Sequence, residues 1–186
     1  MTTPADAPDD AADWALARAN DPQAYARLFD RHNARVYRRA LGMVGSVHDA
    51  EDLTAAAFFE LWRKRRSVRP VNGSVAPWLL VTVVNLSRNH LRGAARYRVV
   101  IEAIPRDHGS PDPAEVAERR LEQSAALAGL GRTDAALLVL TALEGFSTAE
   151  AATALGLRPG AARMRLSRLR ENRRLALRPH IEGEPT

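Results

Sequence analysis

Gly145-Phe-Ser-Thr-Ala-Glu-Ala-Ala-Thr-Ala-Leu-Gly-Leu-Arg-Pro-Gly160, continuing as Ala161-Ala-Arg-Met-Arg-Leu-Ser-Arg-Leu-Arg170, is the stretch on which the fold turns. Ser147 and Glu150 have the S-x-x-E spacing of a capping box, which predicts a helix starting at Thr148. Gly156 tolerates positive φ and predicts a sharp turn about two helical turns later. Pro159 then suits the first turn of a second helix. Ala162, Leu166 and Leu169 follow at i, i+4 and i+7 as its inward stripe, and Arg163, Arg165, Arg168 and Arg170 fall outside it. Two helices across a short glycine turn, the second basic on its outer side, form a helix-turn-helix suited to a DNA major groove. An arginine-rich helix is also ordinary soluble surface, so the rest of the chain has to decide.

Charge points the same way. The 186 residues hold 27 Lys+Arg against 22 Asp+Glu, unevenly spread. Residues 158–178 contain eight arginines and one acid, Glu171, whereas residues 1–21 contain five aspartates and one arginine. Such asymmetry predicts a basic binding face and an acidic N-terminal tail. Lys64 is the only lysine; arginine suits bidentate contact with phosphate and guanine, and a GC-rich genome gives the same bias.

Several classes drop out. Without cysteine there is no disulfide and no thiolate metal site, and a reducing cytoplasm is compatible. The acidic N-terminus does not read as a signal peptide. The longest apolar stretch, about Pro77 to Leu86, carries Thr82 and Asn85 and is too short to span a bilayer. The five histidines show no ligand spacing and no Gly-rich phosphate loop is present, so no catalytic residue, cofactor or metal is expected.

Punctuation divides the chain into an Ala/Asp/Pro-rich disordered tail (1–12), a helical domain (13–97), a Pro/Gly linker (98–113), a second helical domain (114–178) and a tail (179–186). No segment alternates like a half-buried strand, so the class is all-α: two small helical domains on a flexible linker. In the first domain Pro22 opens a helix with Ala24, Leu28, Phe29, Val36, Tyr37 and Leu41 toward the core, ending near Gly42–Gly45. Ser46 with Asp49 suggests another capping box. The helix behind it buries Ala50, Leu53, Ala57 and Leu61, while Asp49, Asp52 and Glu60 share a separate face and Glu51 lies beside them. A basic cluster, Arg63 to Arg66 with Arg69, complements that helix's C-terminal dipole.

A third helix starts near Ser74. Its Thr82, Asn85, Asn89, Arg92 and Arg96 are three or four residues apart and make one polar stripe with Arg88 beside it, opposite a core side of Leu79, Leu80, Val83 and Leu86. Amide and guanidinium groups in one stripe can read base edges and hold phosphates. Trp62, Trp78 and Tyr97 flank it as stacking platforms or as core.

Together these residues resemble an extracytoplasmic-function sigma factor, the compact two-domain promoter-specificity subunit of bacterial RNA polymerase. The resemblance spans about residues 13–178. It rests on Asp21-Pro-Gln-Ala-Tyr-Ala-Arg-Leu-Phe-Asp-Arg-His32, on Asp49-Ala-Glu-Asp-Leu-Thr54 with Phe58, on Pro77-Trp-Leu-Leu80 through Asn85 to Arg92, on Asp112-Pro113, and on the helix-turn-helix. It implies that Asp49, Glu51, Asp52 and Glu60 grip the clamp coiled coil of the polymerase largest subunit. It implies that Asn85, Arg88, Asn89, Arg92 and Arg96 capture the melted −10 strand. By the same resemblance Arg158, Arg163, Arg165, Ser167, Arg168 and Arg170 read the −35 box as duplex. Polymerase core and promoter DNA are then the partners, an anti-sigma factor a common further one, and the location cytoplasmic without membrane insertion. The chain departs from the family pattern at Ala55-Ala56 (Gln-Glu), Ala161-Ala162 (Thr-Val), Met164 (a small polar residue) and Asn89 (often aspartate). The alternative from the residues themselves is a free-standing helix-turn-helix regulator that does not bind polymerase.

Overall fold

The computed structural model describes residues 7–102 and 129–176, with side-chain environments for residues 10–96 and 129–172. Among them run seven α-helices: α1 (Ala7–Arg18), α2 (Pro22–Val44), α3 (Val47–Arg63), α4 (Ala76–Glu102), α5 (Arg132–Leu138), α6 (Thr148–Ala154) and α7 (Pro159–Ala176). The described residues contain no strand, only an isolated bridge between Val71 and Ser74. The all-α class follows.

Local chemistry sets most helix ends. The Asp21 carboxylate accepts from the Gln23 and Ala24 N–H groups, and α2 stops where Gly45 adopts φ +75°. Ser46 caps α3 by accepting from Asp49 N–H. The box suggested there forms only in this half, because the Asp49 carboxylate, one methylene shorter than glutamate, turns instead toward His90, 3.5 Å away. Ser147 and Glu150 form the full box: Glu150 Oε2 accepts from Ser147 N–H and Ser147 Oγ from Glu150 N–H. Gly156 has φ +65°, as the turn requires.

Two findings alter the expected boundaries. Helix α1 begins at Ala7, inside the stretch read as a tail, because Asp10 is fully buried beneath α2. Its carboxylate accepts from Arg31 (2.6 Å), His32 Nε2 (2.8 Å), Ser74 Oγ (2.6 Å) and Val75 N–H (3.2 Å). Burial pushes Asp10 up, but the bonds from His32, Ser74 and Arg31 outweigh it and hold the carboxyl below 3.8. Helix α4 starts at Ala76 rather than near Ser74, and continues to Glu102, past the boundary read at 97. Residues 1–6, 103–128 and 177–186, with the prolines of the linker, lie outside the described residues.

Packing builds an N-terminal bundle of α1 to α4 around Trp14, Leu28, Val36, Phe58, Leu61, Leu79 and Val83. Phe29, read as core, is 36% exposed; it tilts against Phe58 at the bundle's edge. A C-terminal cluster joins Leu137, Leu140, Ala151, Ala152, Ala162 and Leu166, and its other wall is Leu80 of α4. A third cluster brings Met43 and Val84 against Ala135, Ala136 and Val139. Helix α4 therefore has two apolar faces, one for each domain, where the sequence suggested one.

Candidate nucleic-acid interface

The recognition helix is the simplest surface. Ala162 and Leu166 are buried and Leu169 half-buried, so one stripe of α7 faces α5 and α6. Arg158, Arg163, Arg165, Ser167, Arg168 and Arg170 are all exposed, as is Met164. Arg165 makes an exposed ion pair with Asp134 at 2.9 Å. Exposed pairs of this kind contribute little and are readily exchanged for another anion.

The stripe on α4 is divided. Asn89, Arg92 and Arg96 are exposed, and Arg92 Nη2 donates to Asn89 Oδ1 at 2.8 Å. Arg88 is 3% exposed and donates to the Leu130 carbonyl of the C-terminal domain. Burial, with Arg92 and Arg132 nearby, pulls its pKa below the usual guanidinium value. Asn85, one turn from Val81 and Arg88 on this face, has a buried Oδ1 with no hydrogen-bond partner among the described residues. The sequence brings these five residues to one helix; the docked C-terminal domain covers Arg88, and Asn85 is half-buried. Trp78 packs on the N-terminal core, and Trp62 lies edge-on to Tyr25 with the Arg65 guanidinium over its ring. The Tyr97 side chain lies outside the described residues.

The acidic face of α3 is graded. The Asp52 side chain is 70% exposed and Asp49's 33%. Glu60 is held by Arg63 at 2.8 Å and Lys64 at 3.0 Å, which draw its pKa down to about 2. Glu51 lies on a different flank, lining a groove with Phe29, Asn33, Tyr37, Thr54 and Ala55. Asp52 is thus the most exposed of the three acids that share this face.

Comparisons with known proteins follow the same division. Residues 28–97 match Sigma-70 region 2 and residues 122–172 match Sigma-70 region 4. The RNA polymerase sigma factor CarQ of Myxococcus xanthus is 32% identical over 148 residues, 78% of this chain and 84% of CarQ. This chain belongs to the extracytoplasmic-function sigma factors of the sigma-70 family. The extracytoplasmic-function sigma factor SigE of Mycolicibacterium smegmatis is 33% identical over 84% of this chain, which spans 63% of that longer relative. The sigma factor RpoE of Bartonella quintana, solved in complex with the anti-sigma factor NepR, shares the fold with TM-score 0.53 and 20% identity, over 84% of this chain and 98% of that one. The family is not one of catalysts. Among the described residues no helix of this sigma factor is long and apolar enough to cross a membrane, and no acid–histidine group is arranged to hold a metal.

Sequence reading missed a set of contacts that span the two domains. Arg35 and Arg39 of α2 both grip Glu144, the residue after the π-helical turn Val139–Leu143 that continues α5. Asn72 donates to Glu150 at 2.9 Å. The i,i+4 arginine pair is visible in the sequence, but nothing local indicates a partner more than a hundred residues away.

Proposed function

We propose that this chain binds RNA polymerase core and directs promoter recognition and melting in transcription initiation. Asp49 and Asp52 of α3 engage the clamp coiled coil, α4 captures the −10 strand with Asn85, Arg88, Asn89, Arg92 and Arg96, and α7 reads the −35 duplex. One observation carries the reading: two separate basic surfaces, on α4 and α7, lie within matches to region 2 and region 4 in family order. A free-standing regulator accounts for α7 alone and is not favoured. An anti-sigma factor is a further partner on this reading, given the RpoE relative solved with one. No catalytic role and a cytoplasmic location accompany it.

Run-off transcription with purified bacterial core polymerase and DNA upstream of this protein's own gene tests the whole reading. A discrete transcript dependent on the added protein is expected; none with any promoter tried, and no pulldown of core, would leave the regulator. Reversing Asp52 to arginine should lower core affinity while the fold persists, since exposed substitutions usually change stability by less than about 0.5 kcal/mol, and reversing the half-buried Asp49 as well should lower it further. Unchanged affinity would remove α3 from the interface. Alanine at Asn89 and Arg92 should impair opening more than closed-complex formation, read by permanganate reactivity of unpaired thymines.

A further inference from the structure

Arg35, Arg39 and Met43 recur every four residues along one stripe of α2, and Met43 meets Val84 of α4. The stripe therefore adjoins the α4 face that carries Asn85 and Arg88. In this arrangement Glu144 closes over it. Arg35 Nε donates to Glu144 Oε2 at 2.8 Å and Arg35 Nη2 to the Glu144 carbonyl at 2.9 Å. Arg39 Nε donates to Glu144 Oε1 at 2.7 Å, and its Nη2 lies at the same distance from that oxygen. The Arg35 guanidinium also stacks 5.0 Å from the Phe146 ring centroid. Side-chain exposures of 21% for Arg35, 18% for Arg39 and 8% for Glu144 leave the pair of forks little access to other anions while the domains are docked.

We propose that Arg35 and Arg39 form a binding site for promoter DNA backbone phosphate, and that Glu144 occupies it as an intramolecular phosphate mimic when the C-terminal domain is docked. The Glu144 carboxylate sets one oxygen on each guanidinium, as the two non-bridging oxygens of a phosphodiester can. Two further features of α4 fit a site awaiting another occupant. Arg88 is satisfied by a carbonyl of the C-terminal domain, and the Asn85 Oδ1 is buried without a partner, which costs free energy in this arrangement. Undocking the C-terminal domain, as reading two separated promoter elements requires, would free the arginines beside the α4 strand-reading face. The inference rests on the proposed role of α4.

Its test exploits opposite signs. Both Glu144→Ala and the double variant Arg35→Ala/Arg39→Ala break the latch, but only the second removes phosphate contacts. Binding of a single-stranded −10 oligonucleotide is measured by anisotropy across salt concentrations, for the free full-length protein and for holoenzyme. Glu144→Ala should tighten binding by the free protein and leave holoenzyme unchanged. The double variant should weaken both, with a slope against log salt shallower by about 1.4, two contacts at about 0.7 each. If the double variant tightens binding as Glu144→Ala does, the arginines are only a latch. If it leaves DNA binding intact and lowers core affinity, they contact polymerase instead, and the proposal is overturned. Should the double variant not fold, Arg35→Gln and Arg39→Gln singly should each shift the slope by about 0.7, and no shift in either overturns it. Wild-type holoenzyme that binds no promoter at all would instead count against the function proposed above.

Discussion

The basic surfaces of α7 and α4 look alike as sequence, yet the structure treats them differently. Helix α7 packs through one narrow stripe, and Arg163, Arg165, Arg168 and Arg170, outside it, all reach solvent with the domains docked. Helix α4 is central: Leu79 and Val83 belong to the N-terminal core, Leu80 and Val84 to contacts with the C-terminal domain. Its polar stripe has no face wholly its own, and Arg88 is covered while Arg92 is not. A binding surface on a peripheral helix is available by construction. One on a central helix depends on the state of its neighbours, which makes it open to regulation.

The largest effect should come from breaking what seats α4. Asp10 bonds Ser74 Oγ and Val75 N–H at the start of that helix and His32 Nε2 in the core, and removing it leaves these groups without their acceptor, while Arg31 keeps Asp13. Asp10→Ala should cost about 3–5 kcal/mol, several unsatisfied buried groups at about 1–3 kcal/mol each, read by urea denaturation. The same link has a pH dependence. The folded pKa of Asp10 is depressed, so its contribution is present above the unfolded value near 3.8 and is lost as pH falls below it. Acid titration of the wild type should lose stability there, and Asp10→Asn should flatten that loss. A loss as steep in Asp10→Asn would assign it to other carboxylates.

Next in size is the docking contact itself. Leu80→Ala empties a fully buried position facing Leu137 and Leu140, and should cost about 2–5 kcal/mol of the C-terminal domain's stability in the full chain. Amide exchange should then speed up in α5 to α7 and leave the α2–α3 core protected. Uniform loss of protection would mean that the two domains unfold as one unit, and the contrast between the helices would weaken.

The smallest effects on stability are expected on α7, whose described arginines are exposed. Arg163→Ala should cost about 1–3 kcal/mol of −35 affinity and relax preference at one base position. Arg170→Ala should weaken all sequences alike and reduce the salt slope by about one. Both variants should melt like the wild type. Equal losses over a library of −35 variants for Arg163→Ala would make it a phosphate contact and turn a different edge of α7 toward the bases.

Where the chemistry was local, the sequence was enough to read it. The Ser147–Glu150 box, the αL turn at Gly156, the Pro159 start and the buried Ala162 and Leu166 are interactions within a few residues, so adjacent letters specify them. Helical periodicity likewise established the all-α class and most of the α3 and α4 core. Tertiary structure alone decided which polar groups remain available. Asp10 sits in a stretch whose composition reads as tail, but a buried histidine, an arginine and a serine from distant parts of the chain hold it inside. Glu144 meets Arg35 and Arg39 across more than a hundred residues. The second apolar face of α4 became intelligible only once its cover was in place. A charged side chain's partner is chosen by whatever the fold brings within about 3 Å, and that distance is not written in the spacing of residues along a helix.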